Sequence, residues 1–102
     1  MLEVGKLYSC SGYYLMLYPD KETAEDVASR ASAVEPVAAI HPAEADDKAA
    51  YWTRVHGKPV SYCEHETPLL VLSVNEKSVE VLAGDMKGWI IYRDWLELEE
   101  IR

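Results

Sequence analysis

Apolar runs separated by short polar breaks mark the stretch from Thr67 to Tyr92 as the organising part of the chain. Two β-branched and aliphatic runs flank Asn75-Glu76-Lys77-Ser78, a polar four-residue break whose length suits a hairpin loop. A second break, Gly84 to Gly88, precedes the run Trp89-Ile90-Ile91-Tyr92. The pattern predicts a three-strand meander on which the rest of the chain packs. Val71, Val81 and Trp89 are expected to share its buried face, and Trp89, Tyr8 and Trp52 are the aromatics expected in the core.

Upstream, Leu7-Tyr8 to Cys10 and Tyr13 to Tyr18 predict two short strands with a kink at Gly12, since glycine within a strand pattern marks a bulge or turn. Pro19 ends the second. Asp20 then has the character of a helix N-cap, with Glu22, Glu25 and Asp26 in the turns where negative charge suits the helix dipole. Ala24, Val27, Ala28, Ala31 and Val34 recur at helical spacing as a narrow stripe able to lie close to a sheet. Pro36 and Pro42 bracket a short extended segment, Val37 to Ile40. A second helix is expected from Pro42 to His56, with Ala45, Ala49, Trp52 and Val55 on one face and Gly57 as its stop. Lys58 to Cys63 reads as an edge strand, because Pro59 cannot donate to a central ladder. Arg93-Asp94 reads as a tight turn and Trp95 to Glu99 as a last strand.

Residues 1–102 therefore form one α+β domain with a helical excursion over about 19–57. Ten Lys and Arg against eighteen Asp and Glu give a formal charge of −8, which repels phosphate backbones and argues against direct nucleic-acid binding. No apolar run approaches the roughly 20 residues of a membrane-spanning helix, and the first residues lack a secretory layout, so a cytoplasmic location is expected. Cys10 and Cys63 are too few for a disulfide framework and are expected reduced.

The order of two strands, an excursion, a meander, a tight turn and a last strand resembles that of SH3-like barrels. The likeness extends to Gly88-Trp89-Ile90-Ile91, to Tyr92-Arg93-Asp94 leading into Trp95-Leu96-Glu97, and to the opening Leu7-Tyr8. Val4 to Tyr8, Leu17 to Ala24, Ala49 to Trp52 and Gly88 to Ile90 are similar to segments of small SH3-fold proteins of cyanobacterial tailed phages. The resemblance implies a small SH3-like β-barrel with a two-helix insertion after the first strands, encoded by a phage. Ile91 stands where peptide-binding SH3 domains carry a proline, and the excursion replaces their acidic loop, so proline-rich ligands are not implied.

Chemistry-bearing residues are sparse. Cys63-Glu64-His65-Glu66 offers metal-ligand types without the paired spacing of a zinc site, and the same Cys and His are the residues on which a small Cys/His enzyme would have to rest. No catalytic residue, metal or cofactor is expected. Ten aromatics are Tyr or Trp and none is Phe, so nearly every ring carries a polar handle suited to half-buried and interface positions. Tyr13, Tyr14, Tyr62, Tyr92 and Trp95 are the candidates for an exposed groove. By the resemblance, Tyr13, Tyr14, Tyr92 and Trp95 lie near one another, with Asp94 and Glu97 at the rim. Acidity combined with exposed rings favours a protein or peptide bearing Lys or Arg. The alternative is an acidic DNA mimic that occupies a host DNA-binding protein.

Overall fold

The structure is a computed structural model that describes residues 2–10, 13–30, 39–91 and 98–101. In chain order it contains β1 (Leu7–Cys10), β2 (Tyr14–Leu17), α1 (Lys21–Arg30), β3 (Ala39–Ile40), α2 (Ala45–His56) after a 3₁₀ turn (Pro42–Glu44), β4 (Ser61–Cys63), β5 (Leu69–Val74), β6 (Ser78–Ala83), β7 (Met86–Ile91) and β8 (Leu98–Glu100). The class is α+β, and all described strand pairings are antiparallel. Gly12, residues 31–38 and the turn expected at Arg93-Asp94 lie outside the described residues.

The meander forms as its pattern implies, but its second break is shorter than expected. Ala83 pairs with Met86, so Gly84-Asp85 alone make the turn, and Met86, Lys87 and Gly88 belong to β7. Gly84 has φ +62°, a left-handed conformation that glycine adopts without steric cost. Val71 and Val81 pair and are buried. Trp89 is not beside them. It pairs with Glu80 on the opposite face and is half-buried, while Gly88 pairs with Val81, because alternation along β7 gives the inner position to the glycine.

The strands make two sheets, with orders β7-β6-β5-β1-β8 and β3-β2-β4. Among the described residues they are stitched at one bridge, where Tyr18 N–H donates to Trp89 O at 2.8 Å and Trp89 N–H donates to Tyr18 O at 2.9 Å. Among the described residues the sheets do not close into the expected barrel. The reason lies in β2, whose Leu15, Met16 and Leu17 are all buried. A strand apolar on both faces needs cover on both sides. It leaves β1 to become the centre of a second sheet, which takes its two edges from the excursion and from the segment after α2. The helical stretch is thus part of the architecture and not an appendage to a finished barrel.

Asp20 caps α1 as expected, with its Oδ1 accepting from Thr23 N–H at 2.7 Å. Ala24 and Val27 are buried where α1 lies on β6 and β7, and Ser78 Oγ donates to Glu25 Oε1 at 3.4 Å across that contact. Helix α2 ends at Gly57, which has φ +67° and donates to Thr53 O at 2.9 Å. Its buried face is Ala45, Ala49 and Trp52. Val55 is exposed, because the four-residue step from Trp52 reaches His56, and His56 takes the inward place. Tyr8 and Trp52 are buried as anticipated.

Candidate functional site

The β2–β4 ladder sets Leu15 opposite Cys63 and Met16 opposite Tyr62. Tyr14 therefore shares a face with Tyr62 one diagonal step away, within reach of aromatic rings. The rings stack, with centroids 5.5 Å apart and planes 13° from parallel. Tyr62 is also fixed at its far end. Its hydroxyl donates to Asp46 Oδ1 at 2.7 Å, so the first turn of α2 reaches down to the sheet. This bond, followed by partial burial, raises the Tyr62 hydroxyl above its ordinary value of 10.0, and the nearby charges of Asp46 and Glu64 act in the same direction. The cluster is thus a flat aromatic surface beside carboxylates, with its phenol neutral at physiological pH.

His65 closes the other side, its ring 5.6 Å from that of Tyr14 and tilted by 31°. It is carried there by the turn after β4, where Glu66 takes φ 65° and donates to Cys10 O at 2.8 Å. A positive φ at a non-glycine residue is uncommon and is held here by that hydrogen bond. The turn also separates Cys63 from His65. Cys63 points into the core and burial pushes its thiol up to about 11, so the thiolate a nucleophile needs is scarce at neutral pH. Cys63 and His65 do not share one side as their two-residue spacing suggests, because the chain is no longer extended between them. Among the described residues no three His, Cys, Asp or Glu side chains are grouped to hold a metal ion.

Of the expected groove residues, the structure brings together Tyr14 and Tyr62. Tyr13 is 52% exposed at the entrance to β2. Tyr92, Asp94, Trp95 and Glu97 lie outside the described residues. Asp46 and Glu64 carry the acidic character instead; the sequence marks Glu64 only within the run Cys63-Glu64-His65-Glu66, and neither among the groove candidates. Asp46 was legible only as one of a charged pair in a first helical turn. Elsewhere, His56 Nε2 meets Asp26 Oδ2 at 2.8 Å and His56 Nδ1 meets Trp52 O at 3.2 Å, which ties the end of α2 to α1. An open groove of about 740 Å³ runs beside α1 and is lined by both signs, Lys21 and Lys77 among Glu22, Glu25 and Glu76.

No family model matches the chain, and it matches no curated protein and no solved structure. No helix among the described residues is long and apolar enough to cross a membrane.

Proposed function

We propose that the protein is a non-enzymatic binding module, an SH3-like domain of phage origin acting in the host cytoplasm, that engages a Lys- or Arg-bearing segment of another protein. The observation that carries this reading is the stacked Tyr14–Tyr62 pair, set between Asp46 and His65. A ring face attracts a cation through its quadrupole, by about 0.5–1 kcal/mol at an exposed site and more when water is excluded. A carboxylate alongside supplies a partner for the same cation. The hydrogen bond to Asp46 also restricts the Tyr62 ring before any ligand arrives, so less rotamer freedom is lost on binding. A net charge of −8 steers a basic partner over longer range and is screened by salt.

The test is fluorescence anisotropy with a labelled peptide of alternating Arg and Gly. Tyr14→Ala is expected to weaken binding about tenfold, in the range that loss of an anchoring aromatic costs. An acidic protein also attracts polycations without a site. Glu22→Gln with Glu76→Gln therefore serves as the charge control, removing two charges from the α1 groove, and is expected to change affinity much less. Equal losses from Tyr14→Ala and from the control would reduce the interaction to bulk charge and end this reading.

A further inference from the structure

The outer side of the five-stranded sheet carries a second surface. Ile101 N–H donates to Leu7 O at 2.9 Å and continues the β1–β8 ladder, while Leu7 is opposite Leu70, Leu70 opposite Leu82, and Leu82 opposite Lys87. Residues opposite one another in an antiparallel ladder share a face, so these five form one row from the β8 edge to the β7 edge. At strand spacings of about 4.8 Å the row is roughly 19 Å long. Their chain neighbours Tyr8, Leu69, Val71, Val81 and Ala83 point to the other face and are buried. Leu7 and Ile101 are each 40% exposed, and Leu70 and Leu82 are half-buried. Helix α1 covers this side of β6 at its beginning, where Ser78 meets Glu25, and the aliphatic row lies toward the other end of the strand.

The two ends of the row differ in charge. Lys87 ends it on β7, with its side chain 64% exposed although paired with Glu80 at 3.2 Å. At the β8 edge stands Glu99, two residues before Ile101 and therefore on the same face. A surface that is apolar in the middle, with an exposed ammonium at one edge and an exposed carboxylate at the other, is complementary to itself after a two-fold rotation. We propose that this face packs on the same face of a second copy of the chain, about an axis between the sheets and parallel to β5. That axis lays β7 of one copy over β8 of the other. Leu70 then meets its own counterpart and Leu7 meets the other copy's Leu82 in the manner of a β-sandwich, and each Lys87 reaches toward the other copy's Glu99. The local Lys87–Glu80 pairing keeps the face close to neutral in a chain of charge −8, which is what allows two acidic molecules to approach there. The row belongs to the five-stranded sheet and the Tyr14–Tyr62 stack to the three-stranded one, so this interface stands or falls independently of peptide binding.

Sedimentation equilibrium of the full chain tests the proposal. The weight-average mass is expected to rise above the 11.5 kDa of one chain as concentration increases toward the millimolar range. Leu7→Glu, at an already exposed position, is expected to weaken association at least about tenfold while the circular dichroism spectrum is unchanged. Lys87→Glu alone is expected to weaken it, and Lys87→Glu combined with Glu99→Lys to restore it, which only a cross-copy contact between these ends predicts. A chain that stays monomeric at every concentration overturns the interface. So does a dimer that Leu7→Glu leaves intact, or a double charge reversal that associates more weakly than Lys87→Glu alone.

Discussion

Leu17 occupies the space that a side chain at Gly88 would need. A Cβ built on Gly88 would lie 2.5 Å from Leu17 Cγ and 2.7 Å from its Cδ1, closer than real carbon atoms approach. The glycine is therefore a packing requirement, set where β2 of one sheet crosses β7 of the other beside the Tyr18–Trp89 bridge.

Gly88→Ala is accordingly expected to destabilise the fold by about 1–3 kcal/mol, the usual cost of forcing extra volume into a filled core. Leu17→Ala removes the obstructing atoms at a cost of about 2–5 kcal/mol. Combined, the two changes should cost less than their sum, by about 1 kcal/mol or more, because the clash no longer exists. Urea denaturation of the four proteins measures the cycle, and strict additivity would mean that Leu17 moves aside freely.

The same crossing shows where the sequence was readable and where it was not. The meander, the edge strand within Lys58 to Cys63 (found as Ser61–Cys63), the Asp20 cap and the Gly57 stop were all legible, because each depends on local spacing or on one residue's backbone preference. The inward aromatic of β7 was misassigned. Trp89 is the larger and more apolar residue, yet register gives the inner place to Gly88, whose small volume makes sense only once Leu17 is known to come from a distant strand. Sheet membership of β2 was hidden for a related reason. Its run of buried residues shows that both faces are covered, but not by what. In the candidate site Tyr14 and Tyr62 could be named from residue type, whereas Asp46 joins them through a contact sixteen residues away in sequence that no local pattern announces.

Acid stability should depend on Asp20. The backbone and side chain of Thr23, and then Lys58 at 3.0 Å, hold its carboxyl down from 3.8 to about 2. A carboxyl whose folded value is depressed gives stability that is fully present above its unfolded value and is lost as pH falls through the folded one. The window here runs from 3.8 down to about 2. Asp20→Ala is expected to cost about 1 kcal/mol at neutral pH, as loss of an N-cap does. Its difference from the unsubstituted protein should shrink across that window. Denaturation midpoints of both proteins measured at stepped pH would show the convergence, and a constant gap down to the lowest pH would assign the effect to something other than the carboxylate.

The bond between Tyr62 and Asp46 makes the last prediction, at the alkaline end. Because the hydroxyl donates to a carboxylate at 2.7 Å, ionising it would lose the bond and set two negative groups against each other, which is why its value lies above 10.0. A group raised in this way gives stability that is present below its unfolded value and is lost as pH rises through the folded one. Asp46→Asn removes the negative charge while retaining an oxygen that can accept. Tyr62 should then ionise closer to its ordinary value, with the rings still stacked. Tyr62→Phe should keep the stack with Tyr14 but free the ring from α2. Under the binding reading, Tyr62→Phe therefore loses part of the peptide affinity, and Asp46→Asn loses more, since it also removes charge beside the ring. Tyrosine absorbance titration follows the ionisation and peptide anisotropy follows the affinity. If Asp46→Asn shifts the titration but leaves affinity untouched, Asp46 serves only to fasten α2 to β4, and the cation would have to be held by the rings and Glu64 alone.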